Sequence, residues 1–131
     1  MTSRILKFTA NERIIRAGEN DNRMYIILSG SVQISLHEGA DSIQVSVLNK
    51  GDFFGEMSLL INRARTADAI AMGDVTVTYI ESLDQLRDFL QSNTNFAIKM
   101  LKIMAERLTK TDKLLIGVVT ELHRLKIEYE S

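Results

Sequence analysis

Ala97, Leu101, Met104, Leu108, Thr111, Leu115, Val118, Leu122, Leu125 and Tyr129 recur at alternating steps of four and three. That spacing is the seam of a heptad repeat, and it commits the end of the chain to one long helix. From Ala97 to Leu108 the stripe is also what a helix laid on a neighbouring layer would show. Beyond Leu115 a small domain is out of reach. A stripe that continues to Tyr129, with Glu121, Arg124, Lys126 and Glu128 around it, is explained by a second copy of itself. Gly117 beside the seam costs only about 1 kcal/mol of helix propensity. The expectation is a parallel homodimer.

The residues before Ser82 follow another pattern. Met24 to Ser29 and Ser31 to Leu36 flank Gly30 with β-branched and aromatic residues, and Ile43 to Leu48 and Val75 to Glu81 repeat the composition. Gly18, Gly30, Gly39, Gly51, Gly55 and Gly73 punctuate these runs at roughly the spacing of a sandwich or barrel, with a turn marked at Gly73-Asp74. Ser82 and Asn93 are candidate caps, Leu83 to Gln91 reads as a short helix, and the long helix starts near Asn95. The fold class is therefore mainly β with C-terminal helices. An antiparallel, jelly-roll-like β-roll over about 4–81 is followed by a short helix and a long dimerisation helix over about 82–131, all in one domain.

Composition narrows the function. The 131 residues supply apolar material for one core and not for two. Sixteen Lys and Arg against 17 Asp and Glu leave a net charge of −1, so nothing draws this chain to nucleic acid or to an anionic membrane. There is no cysteine, hence no disulfide framework or thiolate metal site, and no apolar run or leader pattern at Met1-Thr2-Ser3-Arg4. The expected setting is the cytoplasm. His37 and His123 stand far apart with no close histidine partner, so the metal-holding barrel enzyme that a small β fold might otherwise suggest has no ligands. No catalytic, metal or cofactor site is expected.

The chemistry concentrates between Gly55 and Ala67, in the run Gly55-Glu56-Met57-Ser58-Leu59-Leu60-Ile61-Asn62-Arg63-Ala64-Arg65-Thr66-Ala67. A Gly-Glu pair opening a helical turn leaves backbone N–H groups unpaired, which favours an anion in front of them. Arg65, nine residues after Glu56, could return a planar and always charged fork to the same place as a phosphate clamp. The Glu56 carboxylate, an acceptor only, suits a sugar hydroxyl. Alternatively, Glu56 simply favours the helix N-terminus and Arg65 is an exposed loop residue like Arg63.

The stretch Phe54 to Leu60 followed by Arg65-Thr66-Ala67 resembles the phosphate-binding cassette of the cyclic nucleotide-binding domain family, of the catabolite activator and kinase regulatory type. Upstream, Ile14-Ile15-Arg16-Ala17-Gly18-Glu19 and Met24 to Ile34 are similar to the first half of that family's β-roll. Ala64 stands where many members carry proline. The resemblance implies a sensing and regulatory module for a cyclic nucleotide, cAMP first and cGMP second, with Gly55, Glu56, Met57, Ser58, Arg65 and Thr66 holding the ligand. It implies no enzyme activity, and signalling by rearrangement of the helices. A family-like interaction domain that no longer binds nucleotide is the alternative, weakened because retained Glu56 and Arg65 would be poorly paired charges without a ligand.

Two further positions concern the base. The resemblance of Met104 to Asp112 to the family's central helix implies that Thr111 meets the purine, with its neighbour Asp112 reaching from the other subunit. Pointing inward, the Asp112 carboxylate would accept from the two N–H donors on the guanine edge, which adenine lacks; pointing to solvent, it takes no part. A threonine bonding back to its own helix is the plainer account of Thr111. Thr66 is similarly open, between a hydroxyl contact to a guanine amino group and a strand residue that meets phosphate through its backbone alone.

Overall fold

The computed structural model describes residues 4–38 and 41–130, so the sequence before Arg4 and the expected turn at Gly39 lie outside the described residues. Eight strands come first: β1 (Ile5–Phe8), β2 (Arg13–Ile15), β3 (Met24–Ser29), β4 (Val32–Glu38), β5 (Asp41–Leu48), β6 (Phe53–Phe54), β7 (Asp68–Ala71) and β8 (Val75–Ile80). A short helix, α1 (Glu56–Ile61), interrupts them between β6 and β7; α2 (Leu83–Ser92) and α3 (Thr94–Glu130) follow. The expected order of strands, short helix and long helix is what the chain adopts. Contacts divide it into two compact units at Arg87/Asp88, within α2.

In the first unit the strands form two antiparallel four-stranded sheets, ordered β1-β8-β3-β6 and β2-β7-β4-β5. The glycines mark the places where the chain leaves one sheet for the other. Gly30 (φ +87) carries it from β3 to β4, and a side chain there would collide with the Asp74 carbonyl. The Gly73-Asp74 turn makes the same crossing from β7 to β8.

Burial follows strand position. β8 alternates, with Val75 and Val77 buried and Thr76 and Thr78 turned outward. β3 does not alternate: Met24, Tyr25, Ile26 and Ile27 are all buried. It lies between β8 and β6, in register Tyr25 to Tyr79 and Tyr25 to Phe54, and a strand covered on both faces reads as a continuous apolar run. Ile15, Ile27, Val32, Phe54, Ala69 and Val77 belong to the core between the sheets. Fully burying a valine, isoleucine or phenylalanine side chain contributes about 1.5–3 kcal/mol, which holds the loops above them in place.

The helical segments begin and end on identifiable groups. Ser82 caps α2, its hydroxyl oxygen accepting from the Gln85 N–H at 3.2 Å. Asn93 acts at the other end of α2: its side-chain amide donates to the Phe89 carbonyl at 2.9 Å while its own carbonyl accepts from Ala97 N–H. In the second unit Phe89 meets Phe96 edge to face with centroids 5.2 Å apart, and Met100 is buried. Ile103 and Met104 are half-buried, and Leu101, Leu108, Leu115, Val118, Leu122 and Leu125 are exposed to solvent.

Candidate functional site

Gly55 ends β6 and begins α1 in the left-handed region at φ +80, with no side chain capping the helix. The conformation suits glycine, and space makes the same demand. A Cβ on residue 55 would lie 2.7 Å from Arg65 Nη1 and 2.8 Å from the Arg23 carbonyl oxygen. Three segments thus converge on one turn: the end of β6, the start of β3 and the loop before β7.

Arg65 is the centre of that convergence. Its side chain is 4% exposed. Nη1 donates to the Gly55 carbonyl at 2.9 Å, in the peptide that joins Gly55 to Glu56, and Nη2 donates to the Arg23 carbonyl. Asp21 Oδ2 stands 3.5 Å from Nη2. Nε is also a donor, and it is buried without a hydrogen-bond partner. A guanidinium removed from water with one N–H unsatisfied is costly, and an anion placed against it would satisfy it.

The backbone at Arg65 is fixed as firmly as the side chain. Its carbonyl accepts from Gly18 N–H at 2.9 Å and its N–H donates to the Glu19 carbonyl at 3.3 Å. One residue before Gly18 and three after Arg65, Ala17 N–H donates to the buried Asp68 carboxylate at 2.7 Å. The loop after β2 and the loop before β7 therefore form one ladder, and the arginine leaves it pointing inward.

Asp21 joins the cluster from the loop before β3. Its carboxylate accepts from Arg23 N–H at 3.1 Å and from the Tyr25 hydroxyl at 3.0 Å. Tyr25 stacks on Phe54, one residue before Gly55, with ring centroids 5.2 Å apart. Burial, and next the nearby Asp21 charge, push the Tyr25 hydroxyl up to about 12. Arg23 meanwhile lays its guanidinium 4.4 Å over the Tyr79 ring and sits 3.6 Å from Glu81 at the end of β8.

The other sequence candidates sort by burial. Glu56, the first residue of α1, is buried at 5% exposure. Ser58 is buried too, and its hydroxyl donates to the Arg63 carbonyl at 2.6 Å, tying α1 to the loop that carries Arg65. Met57 and Thr66 are exposed. Asp112 is exposed on α3, in the second unit, and the Thr111 side chain lies outside the described residues. The structure brings together Gly55, Glu56, Ser58 and Arg65. It adds Asp21, Arg23 and Tyr25, which the sequence reading passed over because what joins them to Arg65 is the pairing of distant loops.

A two-sheet roll broken by one short helix, with a buried arginine folded over the turn that opens it, defines a class of ligand-receiving regulatory domains. Residues 5–93 match the model of the cyclic nucleotide-binding domain, and the chain belongs to that family. A CRP-like cAMP-activated global transcriptional regulator of Mycobacterium tuberculosis is 26% identical over 114 residues, covering 86% of this chain and 50% of the regulator. The chain thus spans about half the length of that relative. The catabolite activator protein of Thermus thermophilus shares the fold, with a TM-score of 0.73 at 24% identity over 86% of this chain and 53% of that one. The regulatory domain of Toxoplasma gondii PKA, solved with cAMP, gives a TM-score of 0.60 at 28% identity over 79% of this chain and 38% of that one.

Proposed function

We propose that this chain senses a cyclic nucleotide, holding the cyclic phosphate at Arg65 and the ribose at Glu56, and that it regulates by rearranging its helices rather than by catalysis. The observation that carries this reading is the Arg65 guanidinium, buried and held by carbonyls on two sides with Nε left unpaired. Such a group accepts an anion without first having to be ordered, which lowers the entropic cost of binding. Glu56 accepts from the ribose hydroxyl, Gly55 lets the backbone approach the ligand, and Ser58 braces the loop. Met57 and Thr66 edge the site, and Thr111 on α3 meets the base.

cAMP is the favoured ligand and cGMP the second. The M. tuberculosis relative is cAMP-activated by name, and the T. gondii domain was solved with cAMP. A ligand shifts the balance between two arrangements of the cassette only by its differential affinity for them. The α3 seam supplies the partner, a second copy of the chain. Among the described residues no helix is long and apolar enough to cross a membrane, and we place the action in the cytoplasm. Neither a membrane nor nucleic acid is a partner of this segment.

Calorimetric titration with cAMP and cGMP side by side tests the proposal. Saturable binding of one nucleotide per chain, lost in Arg65→Ala, is the expected result. No binding of either nucleotide by a folded wild type would favour the alternative, a domain of this family that serves only as an interaction surface.

A further inference from the structure

Arg23 holds two parts of the roll at once. Its carbonyl accepts from Arg65 Nη2, and its N–H donates to Asp21 Oδ1 at 3.1 Å. Its side chain serves a different neighbour, with the guanidinium 4.4 Å over the Tyr79 ring and Nε 3.6 Å from Glu81 Oε2. Glu81 lies between the end of β8 and Ser82, the cap of α2.

The first turn of α2 is closed from the same short segment. Glu81 N–H donates to Gln85 Oε1 at 2.9 Å, Gln85 N–H donates to Ser82 Oγ at 3.2 Å, and Leu86 N–H donates to the Ser82 carbonyl at 3.0 Å. This is a capping box whose backbone donor is shifted by one residue, to Glu81. The contacts therefore run from Arg65 through Arg23 and Glu81 to Gln85, all within the first unit.

The brace on this turn is weak enough to be moved. The Arg23 and Glu81 side chains are 38% and 46% exposed, so water screens their attraction. With the ring contact added, the brace is worth about fivefold in the population of the closed turn. A ligand's differential affinity can tip a balance that small. An anion engaging the Arg65 guanidinium redraws which acceptors its donors serve, and the Arg23 carbonyl is one of those acceptors.

We propose that Arg23 is a positioning residue that couples the phosphate site to α2. Its backbone registers whether Arg65 is occupied, and its side chain, through Glu81, sets how firmly the first turn of α2 is closed. The inference rests on the sensing reading above and names the contact by which that site reaches the helices. Such coupling is reciprocal: what the ligand does to the turn, the turn does to the ligand's affinity.

Amide exchange reads the turn directly, at the N–H groups of Glu81, Gln85 and Leu86. In the ligand-free full chain, Arg23→Gln should speed exchange at these amides about fivefold, because it removes both the ring contact and the ion pair. Unchanged exchange overturns the brace, and this arm needs no nucleotide. In the wild type, saturating cAMP should shift exchange at the same amides. Glu81→Gln leaves the groups around Arg65 in place, so it should remove most of that shift while affinity for cAMP stays within about threefold. Arg23→Glu and Glu81→Arg should each lose the shift, and the two combined should regain part of it as opposite charges meet again. A purely structural role for Arg23 would give no such rescue. A shift that survives in Glu81→Gln, or a double variant without rescue, overturns the coupling and leaves the sensing reading standing. A folded wild type that binds no cAMP overturns the sensing reading and the coupling with it.

Discussion

Asp21 Oδ2 lies 3.5 Å from Arg65 Nη2 and accepts the Tyr25 hydroxyl at 3.0 Å, so one carboxylate joins the buried cation to the core. Its position answers a difficulty that a phosphate clamp otherwise poses. An arginine buried before its ligand arrives would be an uncompensated charge. Asp21 and the carbonyls of Gly55 and Arg23 balance it, and Nε is left as a buried donor that the proposed ligand would meet. On the proposed reading a nucleotide would meet a charge already placed, and its gain would come from new bonds to the guanidinium and the added anion.

The first test is to remove that charge. Arg65→Ala should cost about 2–4 kcal/mol of nucleotide binding, roughly 30- to 1000-fold in affinity, through loss of a charge-assisted contact. The cost should fall on cAMP and cGMP alike, since both carry the same cyclic phosphate. Titrations that show unchanged binding of both would remove Arg65 from the site.

Tyr25 gives a signal that needs no ligand. Its hydroxyl is raised to about 12, so the folded state holds this proton more tightly than the unfolded chain. The resulting stability is complete below about pH 10 and is lost as pH climbs from there through about 12. Ultraviolet titration should show one of the three tyrosines ionising late, and Tyr25→Phe should remove that late step. A late step that persists in Tyr25→Phe would assign it to another tyrosine.

Gly55 was legible as a cassette glycine, and the structure supplies the reason for it. Gly55→Ala would force a side chain into the left-handed region and against the Arg23 carbonyl at 2.8 Å. Destabilisation of about 1–3 kcal/mol, accompanied by weaker nucleotide binding, is expected in thermal unfolding and titration. A variant with wild-type melting and affinity would show that the turn has room to spare.

What could be read from the chain and what could not divides by range. The turn glycines, the longer strands at Met24–Ser29 and Val75–Ile80, and the helices α2 and α3 announce themselves locally. β2 and β6, of three and two residues, do not, because their pairing comes from distant strands rather than from their own periodicity. Arg65 and Glu56 could be found from spacing. Asp21 could not, since the bond that gives it meaning spans 44 residues from Asp21 to Arg65 and depends on how two loops pair across the roll. Ser58 was legible as part of the cassette, whereas its hydroxyl's use in holding the Arg63 carbonyl needed the fold.

Glu56 is tested through the ligand. If its carboxylate accepts from the ribose, the 2′-deoxy analogue should bind the wild type markedly worse, because a buried acceptor loses its donor. In Glu56→Gln the same analogue should lose little more. Equal penalties in the two proteins would show that Glu56 does not read the hydroxyl, even if Arg65 proves to hold the phosphate.

The seam can be broken without touching the cassette. Leu115→Asp with Leu122→Asp places two carboxylates on the exposed stripe, at positions 62% and 61% exposed in the single chain, where they are harmless to the fold of one copy. In a dimer the same carboxylates would be buried against their symmetry mates, at a cost of several kcal/mol. Sedimentation should therefore show a monomer, and thermal unfolding should show that the strand-built first unit keeps its cooperative melting. If Thr111 meets the base as part of a paired helix, nucleotide affinity should fall with the dimer. A monomeric double variant of full affinity would confine the whole ligand site to the roll, and a double variant that still dimerises would place the subunit contact away from this stripe.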